Sequence, residues 1–183
     1  MKKRFALLVG GMMAFAAATP SVVDAMPYLR ASAGITNTGK DTGVSYDTGF
    51  NYAVALGTDS GRFRLEGELG HQNNGIKDSA ADVSMTTYLA NYYVDLLAPV
   101  VPIKPYVAIG GGMADVEGKS VTGTLSNDKV FAWQVGVGVG FTMYPLVMLD
   151  VQYRHLDAGS PELFGTKYGI ASNNVSVGVR IGF

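Results

Sequence analysis

The sequence predicts an all-β chain that closes into an eight-stranded, antiparallel, up-and-down transmembrane β-barrel. Three observations predict this fold: eight segments of alternating apolar and polar residues, connectors that are alternately short and long, and charges gathered on the polar faces of the segments. Successive side chains on a strand point to opposite sides, so this alternation gives each segment one apolar and one polar face.

The first 25 residues lack this pattern and predict a signal peptide. A basic start at residues 2–4 precedes an apolar run over residues 5–18, and small residues surround Ala25. The apolar run is shorter than the roughly 20 residues that a membrane-spanning helix needs. Export is therefore expected, with cleavage between Ala25 and Met26.

The remaining residues, 26–183, predict one mildly acidic domain. Without the three basic residues and the one acid of the signal peptide, 11 basic and 14 acidic residues remain, a net charge of about −3. The basic residues are scattered singly, so no nucleic-acid partner is predicted. Cysteine, the lipid-bearing residue of bacterial lipoproteins, is absent. No metal-ligand spacing or phosphate-binding glycine loop occurs, and no cofactor is expected.

The first four segments each alternate over about ten residues. Segments one (Met26–Ile35) and two (Gly49–Gly57) place apolar side chains at alternate positions. Segment three (Arg62–His71) is the most informative, because a helix would scatter charges that a strand gathers on one face. That face carries Arg64, Glu66 and Glu68. Segment four (Val83–Leu96) also alternates, with Leu89 as an apolar exception on the polar face.

The last four segments continue the pattern. Segment five (Tyr106–Ala114) is the weakest, because three consecutive glycines blur its faces, and close packing explains these glycines better than phosphate binding. Segment six (Val130–Met143) alternates over its whole length, and segment seven (Val147–Leu156) follows a short turn. The closing segment, Asn173–Phe183, has a large apolar residue at every second position from Val175 onward.

Connector lengths predict the topology. The connectors after segments two, four and six are short or rich in proline, whereas those after segments one, three, five and seven are long and polar. The long connectors are Thr36–Thr48, Gln72–Asp82, Asp115–Lys129 and Asp157–Asn173. This alternation is typical of an antiparallel meander with trimmed turns at one end and elaborated loops at the other.

The narrow interior of an eight-stranded barrel indicates which face points inward, because it is just wide enough for side chains. With the apolar faces inward, Phe131, Trp133, Phe141 and other aromatic residues would compete for that space while many glycines faced water. With the faces reversed, bulky residues contact lipid and small or polar residues fill the lumen. The alternative, a soluble periplasmic ligand-binding barrel, would not need detergent for its extraction.

The polar faces are predicted to bring nine polar side chains into this lumen. They are Arg30, Arg64, Glu66, Glu68, Asp95, Asp150, Gln152, Arg154 and Arg180. Buried charges need partners and hydrogen bonds, and four arginines with four acids form a balanced set. The prediction is a salt-bridged plug. A narrow porin-like channel is the alternative.

Together these features resemble the small outer-membrane β-barrel superfamily of Gram-negative bacteria, which includes the transmembrane domain of OmpA-type proteins and the opacity-type adhesins. The phrases FRLEGELGHQNN, LANYYVDL, KPYVAIGGGMA and LDVQYRHLD are similar to strands of that superfamily. The resemblance covers residues 26–183 and implies an outer-membrane location, a lipid environment, a monomer, and extracellular loops for adhesion or recognition of a surface ligand. Unlike the OmpA type, no peptidoglycan-binding domain follows the closing segment, so cell-wall anchoring is not expected.

An outer-membrane lipid-modifying enzyme is a further alternative. His155, Asp157 and Ser160 are close in sequence and are the residue types of a hydrolytic triad. The outer-membrane lipid A deacylases are similar to this region, but their motif has serine two residues after the catalytic histidine, where this chain has Asp157. No catalytic residue is therefore predicted, and His155 is interpreted as a side chain at the membrane interface.

The end of the closing segment predicts an assembly signal. Members of the superfamily end on an aromatic residue that the barrel-assembly machinery recognises. The resemblance implies that Phe183, with Val179 and Ile181 at the preceding alternate positions, serves as this signal.

Overall fold

The computed structural model describes residues 25–38, 48–75, 82–97, 102–119, 125–163, 166–167 and 169–183. The predicted signal peptide thus lies outside the described residues, except for Ala25. The strands are β1 (Met26–Thr38), β2 (Gly49–Asp59), β3 (Phe63–Gly75), β4 (Asp82–Asp95), β5 (Ile103–Lys119), β6 (Leu125–Tyr144), β7 (Val147–Asp157), β8 (Glu162–Leu163), β9 (Thr166–Lys167) and β10 (Ala171–Gly182). Within the described parts of the chain, no helix is long and apolar enough to cross a membrane.

Eight of these strands form a closed antiparallel barrel in the order β1-β10-β7-β6-β5-β4-β3-β2, and β8 and β9 form a separate small hairpin. Apart from the closing pair, each barrel strand pairs with its sequence neighbours, so the predicted eight-stranded up-and-down fold is confirmed. β1 and β10 close the ring with Tyr28 opposite Gly182, and the Phe183 amide donates to the Pro27 carbonyl at 3.0 Å. Closure leaves no unpaired sheet edge.

The two ends of the barrel differ. The first and last residues of the barrel lie at one end, together with the strand ends that are joined by the short connections 60–62, 96–102 and 145–146. We call this the short-turn end. The turn at Gly61 needs glycine, because its φ is 84° and its amide donates to Asp59 Oδ1 at 2.7 Å. The strand ends that the four remaining connectors join lie at the opposite end, which we call the loop end.

The third long connector is shorter than predicted. Residues 115–129 were expected to form a loop, but β5 continues to Lys119 and β6 starts at Leu125 directly opposite it. In this extension the chemistry of the two faces is inverted, because Ala114 and Val116 point inward and are fully buried whereas Glu117 is exposed. The outer face here is polar like that of a water-soluble sheet, so the pattern of a lipid-facing strand did not reveal the extension.

The outer face of the barrel is an apolar belt. On β10, Val175, Val177, Val179 and Ile181 are 41–50% exposed, and similar side chains cover the other barrel strands. Aromatic side chains lie toward both margins of the belt, with Trp133 and Phe131 toward the loop end and Phe63 and Tyr144 toward the short-turn end. An apolar belt with aromatic margins is typical of a barrel that contacts lipid.

The interior contains polar side chains at the short-turn end and a mixed layer near the loop end. In that layer an apolar cluster covers one wall, formed by Met85, Leu89, Ala114, Val116, Ala132, Leu156, Ala158 and Ile170. The facing strands contribute buried polar residues that include Thr36, Asn51, Gln72 and Asn174. Leu89, the exception on the polar face of segment four, is thus a member of an apolar layer that the sequence analysis did not predict.

Candidate functional site

The candidate functional site is the charged part of the lumen. The nine residues predicted to line it lie at inward-pointing positions of β1, β3, β4, β7 and β10, and each is at most 7% exposed. Strand alternation points them to a common interior, and the closed ring brings strands that are distant in sequence within reach of each other. Ion pairs or hydrogen bonds connect all nine to other lumen side chains.

Arg30 is the centre of the network. Its Nη2 lies 2.6 Å from Glu68 Oε2 and 3.0 Å from Glu66 Oε2, and it donates to the Tyr93 hydroxyl at 3.1 Å. Its Nη1 donates to Gln152 Oε1 at 3.2 Å. A single guanidinium from β1 therefore links strands β3, β4 and β7 across the lumen, because its donors form a planar fork with several directions.

Glu68 bridges two arginines and is completely buried. Its Oε2 accepts from Arg30 and its Oε1 accepts from Arg154 Nη1, both at 2.6 Å. Among the described residues, Glu68 is the acid that pairs with Arg154. Charge-assisted hydrogen bonds of this length are among the stronger interactions in a protein interior.

Arg64 is held by one acid and two aromatic rings. Its Nη2 donates to Asp95 Oδ1 at 3.0 Å, and its guanidinium carbon lies 4.6 Å and 4.5 Å from the ring centroids of Tyr93 and Tyr106. Cations placed over aromatic faces are stabilised, and more so when water is excluded. A third tyrosine, Tyr28, donates to Glu66 Oε1 at 2.6 Å. These tyrosines were not among the predicted lumen residues, although they lie on the polar faces of segments one, four and five, which was a usable signal.

Arg180 completes the network at the short-turn end. It lies 3.3 Å from Asp59 Oδ2 and 3.5 Å from Asp150 Oδ2, and over the ring of Tyr28 at 5.2 Å. Asp59 is a second omission from the predicted set, because it belongs to the end of β2, where the sequence predicted a turn. Beside this group is a cavity of about 370 Å³, with Lys104 and Arg180 in its lining.

Inward-facing glycines make room for the large polar side chains. A Cβ atom on Gly138 would collide with the ring and hydroxyl of Tyr106, and one on Gly57 would lie 2.8 Å from the ring of Tyr28. Glycine on these strands therefore permits tyrosines and arginines to fill a barrel of eight strands.

The arrangement can hold charge but shows no reaction centre. Four buried arginines face four buried acids, and Asp59 adds an acid that is partly exposed. Among the described residues, no group of three or more histidine, aspartate or glutamate side chains is positioned to bind a metal ion. The buried arginines and acids therefore neutralise one another's charge.

The structure does not assemble the hydrolytic candidates. His155 points outward, and its Nδ1 lies 3.0 Å from Asn173 Oδ1. Asp157 accepts from the Gly159 amide at 2.7 Å, and Ser160 is exposed beyond the end of β7. Within the described residues, no hydrogen bond connects His155 to Asp157 or to Ser160.

The predicted assembly signal lies on the outer surface at the short-turn end. Val179, Ile181 and Phe183 all point outward, and Phe183 is 67% exposed. The backbone of Phe183 is nevertheless fixed by its hydrogen bond to Pro27. Its ring is therefore presented on an ordered strand end.

Comparison with known proteins identifies the family. Residues 5–183 match the outer membrane protein beta-barrel domain. Outer membrane protein PagN of Salmonella typhimurium is 29% identical over 122 residues, which cover 55% of this chain and 51% of PagN. The chain thus spans about half the length of this relative.

Several solved structures share the fold. Neisserial surface protein A matches with a TM-score of 0.71 at 21% identity, covering 86% of this chain and 97% of its own. Ail of Yersinia pestis, solved with the heparin analogue sucrose octasulfate, matches with a TM-score of 0.58 at 12% identity, covering 88% and 100%. The outer membrane enzyme PagL matches with a TM-score of 0.50 at 18% identity, covering 84% and 99%, so the fold alone does not separate surface proteins from enzymes. On the family match over nearly its whole length, the chain belongs to the outer membrane proteins with a β-barrel domain.

Proposed function

We propose that this outer-membrane protein is a surface-exposed structural barrel with a plugged lumen, whose loop end faces the exterior and serves adhesion or surface recognition. The observation that carries the proposal is the interlocked lumen. Arg30, Glu68 and Arg154 connect three strands through bonds of 2.6 Å, and these side chains are at most 7% exposed. Short turns on the periplasmic side and longer loops outside are the rule for outer-membrane barrels.

Two layers close the lumen. The charged network lies toward the short-turn end, and the apolar cluster around Leu89 and Leu156 lies nearer the loop end. The base of the last loop contributes to the second layer, because Ala158 and Ile170 are buried in it and the Ala158 amide donates to the Ile170 carbonyl at 2.9 Å. An ion that entered from the cavity at the short-turn end would meet paired charges and then the mixed layer, in which one wall is apolar.

Planar-bilayer recording tests the plug. The purified protein is expected to give no current steps above background. Leu156→Ser with Glu68→Gln, which weakens both layers, is expected to give steps, whereas Lys129→Gln on the outer surface is not. Steps from the unaltered protein, changed in size by Glu68→Gln, would instead support the narrow porin-like channel.

We propose that the ligand recognised at the loop end is not a sulfated glycan. Ail was solved with a heparin analogue, which supports surface binding for a barrel of this fold. In this chain the connectors 39–48, 76–81, 120–124 and 158–170 contain three lysines and four acids, so they lack the positive charge that a sulfated glycan would need. Cells displaying the protein are expected to bind a host-cell surface equally well with and without soluble heparin, and loss of binding in heparin would contradict this.

We also infer that the protein is monomeric, non-enzymatic and exported by residues 1–25. His155 has Asn173 as its partner, which supports a structural role for this histidine. Lipid A isolated from cells that express the protein is expected to have the same mass spectrum whether the chain is unaltered or carries His155→Ala and Asp157→Asn. A loss of acyl chains that depends on His155 would support the enzyme.

Heat-modifiable gel migration combined with outer-membrane fractionation tests fold and location together. The folded protein is expected in the detergent-dependent outer-membrane fraction, with one band that shifts on boiling. Recovery in the periplasmic extract would overturn the proposal.

A further inference from the structure

An aromatic and polar cluster lies on the outer face near the loop end, on three neighbouring strands. Trp133 of β6 and His155 of β7 have ring centroids 6.0 Å apart, inclined at 57°. Asn173 of β10 is directly opposite His155, and its Oδ1 accepts from the Tyr153 hydroxyl at 2.9 Å and from His155 Nδ1 at 3.0 Å. We call Trp133, Tyr153, His155 and Asn173 the outer-face cluster.

The hydrogen bonds inside the cluster use one nitrogen of His155 and the amide oxygen of Asn173. A carboxamide oxygen only accepts, so a neutral His155 ring donates from Nδ1 to Asn173 Oδ1 and has Nε2 as its acceptor. Asn173 is exposed and its amide nitrogen carries two N–H donors, and Trp133 is 40% exposed. The cluster thus offers a flat aromatic surface beside both hydrogen-bond donors and an acceptor.

The cluster lies where the outer face changes from apolar to polar. On β7, Val151 and Tyr153 precede His155 and Asp157, and on β10 the valines begin two residues after Asn173. The cluster is therefore continuous with the lipid-facing belt and lies at its margin, at the level of the headgroups.

We propose that the outer-face cluster binds a sugar ring in the headgroup of an outer-leaflet glycolipid. A sugar ring has an apolar face that packs on an aromatic ring, and hydroxyl groups that both donate and accept. Asp157 is adjacent to His155 on the outer face, so its negative charge favours a neutral sugar over a phosphate. The inference rests on the proposed orientation, in which the loop end lies in the outer leaflet.

The other histidine of the chain provides a matched control. His71 also points outward, packs against Tyr52 at 5.2 Å between ring centroids, and has Thr86 Oγ1 at 3.1 Å from its Nδ1. It combines a histidine with an aromatic ring but has no tryptophan and no asparagine bonded to it in the described structure. A general preference of interfacial histidines for headgroups would affect both sites equally.

Trp133 is the single tryptophan of the chain, so its fluorescence reports on the cluster alone. The full chain is folded into phosphatidylcholine vesicles that contain increasing lipopolysaccharide or, as a charge control, phosphatidylglycerol. Lipopolysaccharide is expected to shift the emission to shorter wavelength in a saturable manner and to protect Trp133 from iodide, whereas phosphatidylglycerol is not. His155→Ala and Asn173→Ala are each expected to raise the half-saturating concentration about tenfold, roughly what one lost hydrogen bond to a sugar costs, and His71→Ala is expected to leave it unchanged.

Two results would overturn the proposal: an equal response to phosphatidylglycerol, or a half-saturating concentration unaffected by His155→Ala and Asn173→Ala. Heat-modifiable migration confirms that each variant is folded. Asn173→Asp keeps the bonds to Tyr153 and His155 while removing the amide donors, and it serves if the alanine variant does not fold. The assay measures neither conductance, nor adhesion, nor location in cells, so its failure and that of the proposed function are separable.

Discussion

Replacing Glu68 by glutamine is expected to destabilise the barrel by about 3–5 kcal/mol, the usual cost of removing one partner from a buried ion pair. Glu68 is fully buried and bonds to Arg30 and Arg154 at 2.6 Å each. Glutamine has nearly the same volume, so the cavity term is negligible. Arg30 keeps its ion pair with Glu66 at 3.0 Å, but Arg154 loses its ion pair with Glu68. The glutamine amide group is itself a donor, so it can also present an N–H to the Arg154 guanidinium, which cannot accept it.

The double variant Glu68→Gln with Arg154→Met separates charge from packing. If the cost comes from the unpaired guanidinium, removing that guanidinium restores part of the stability, and the double variant is expected to be more stable than Glu68→Gln alone. The matched control is Lys129→Gln, which breaks a pair of 3.5 Å to Asp115 in which the lysine is 67% exposed. An exposed pair of this kind contributes at most about 1 kcal/mol.

Urea titration of the protein folded in vesicles, followed by heat-modifiable migration and extrapolated linearly, measures these free energies of unfolding. A change in the free energy of unfolding for Glu68→Gln no larger than that for Lys129→Gln would refute a large contribution from the buried pair. A double variant less stable than Glu68→Gln alone would refute the role of the unpaired guanidinium.

Three further predictions follow from single contacts. Gly138→Ala is expected to lower the free energy of unfolding by about 1–3 kcal/mol in the same titration, because the added Cβ meets Tyr106. Gly111→Ala is the control and is expected to be neutral, since the nearest atom to its Cβ lies at 3.6 Å. Equal effects of the two variants would contradict this. Tyr93→Phe is expected to lower the free energy of unfolding by about 2 kcal/mol, because it removes the hydrogen bond from Arg30. Tyr93→Leu is expected to lower it further, because leucine also removes the ring beside Arg64. Equal losses for the two variants would exclude a contribution from the ring. Deletion of Phe183 is expected to lower the outer-membrane level of the protein while Phe183→Tyr preserves it, and normal levels of the truncated chain in fractionated cells would count against the assembly signal.

The sequence was sufficient for the fold because alternation and connector length are local properties. Arg64, Glu66 and Glu68 share a face by strand geometry alone, and that geometry also placed Leu89 on the same side as Asp95. The partners were not predictable, because the meeting of Arg30 with Gln152 depends on the tilt and stagger of a closed barrel. The extension of β5 was missed because its faces invert once the strand leaves the apolar belt.

The seam of the barrel indicates why so much charge is buried in it. β1 and β10 pair with Arg30 directly opposite Arg180, both pointing inward. Like charges in opposite positions of a strand pair are destabilising, so this pairing opposes closure unless each arginine is neutralised. The acids come from other strands, since Arg30 is paired with Glu66 and Glu68 of β3 and Arg180 with Asp59 of β2 and Asp150 of β7. The pairing of β1 with β10 is therefore stabilised by the acids that strands β2, β3 and β7 place in the lumen. We therefore expect the charged network to favour closure of the ring in its native register, a structural role that accounts for its balance of charges.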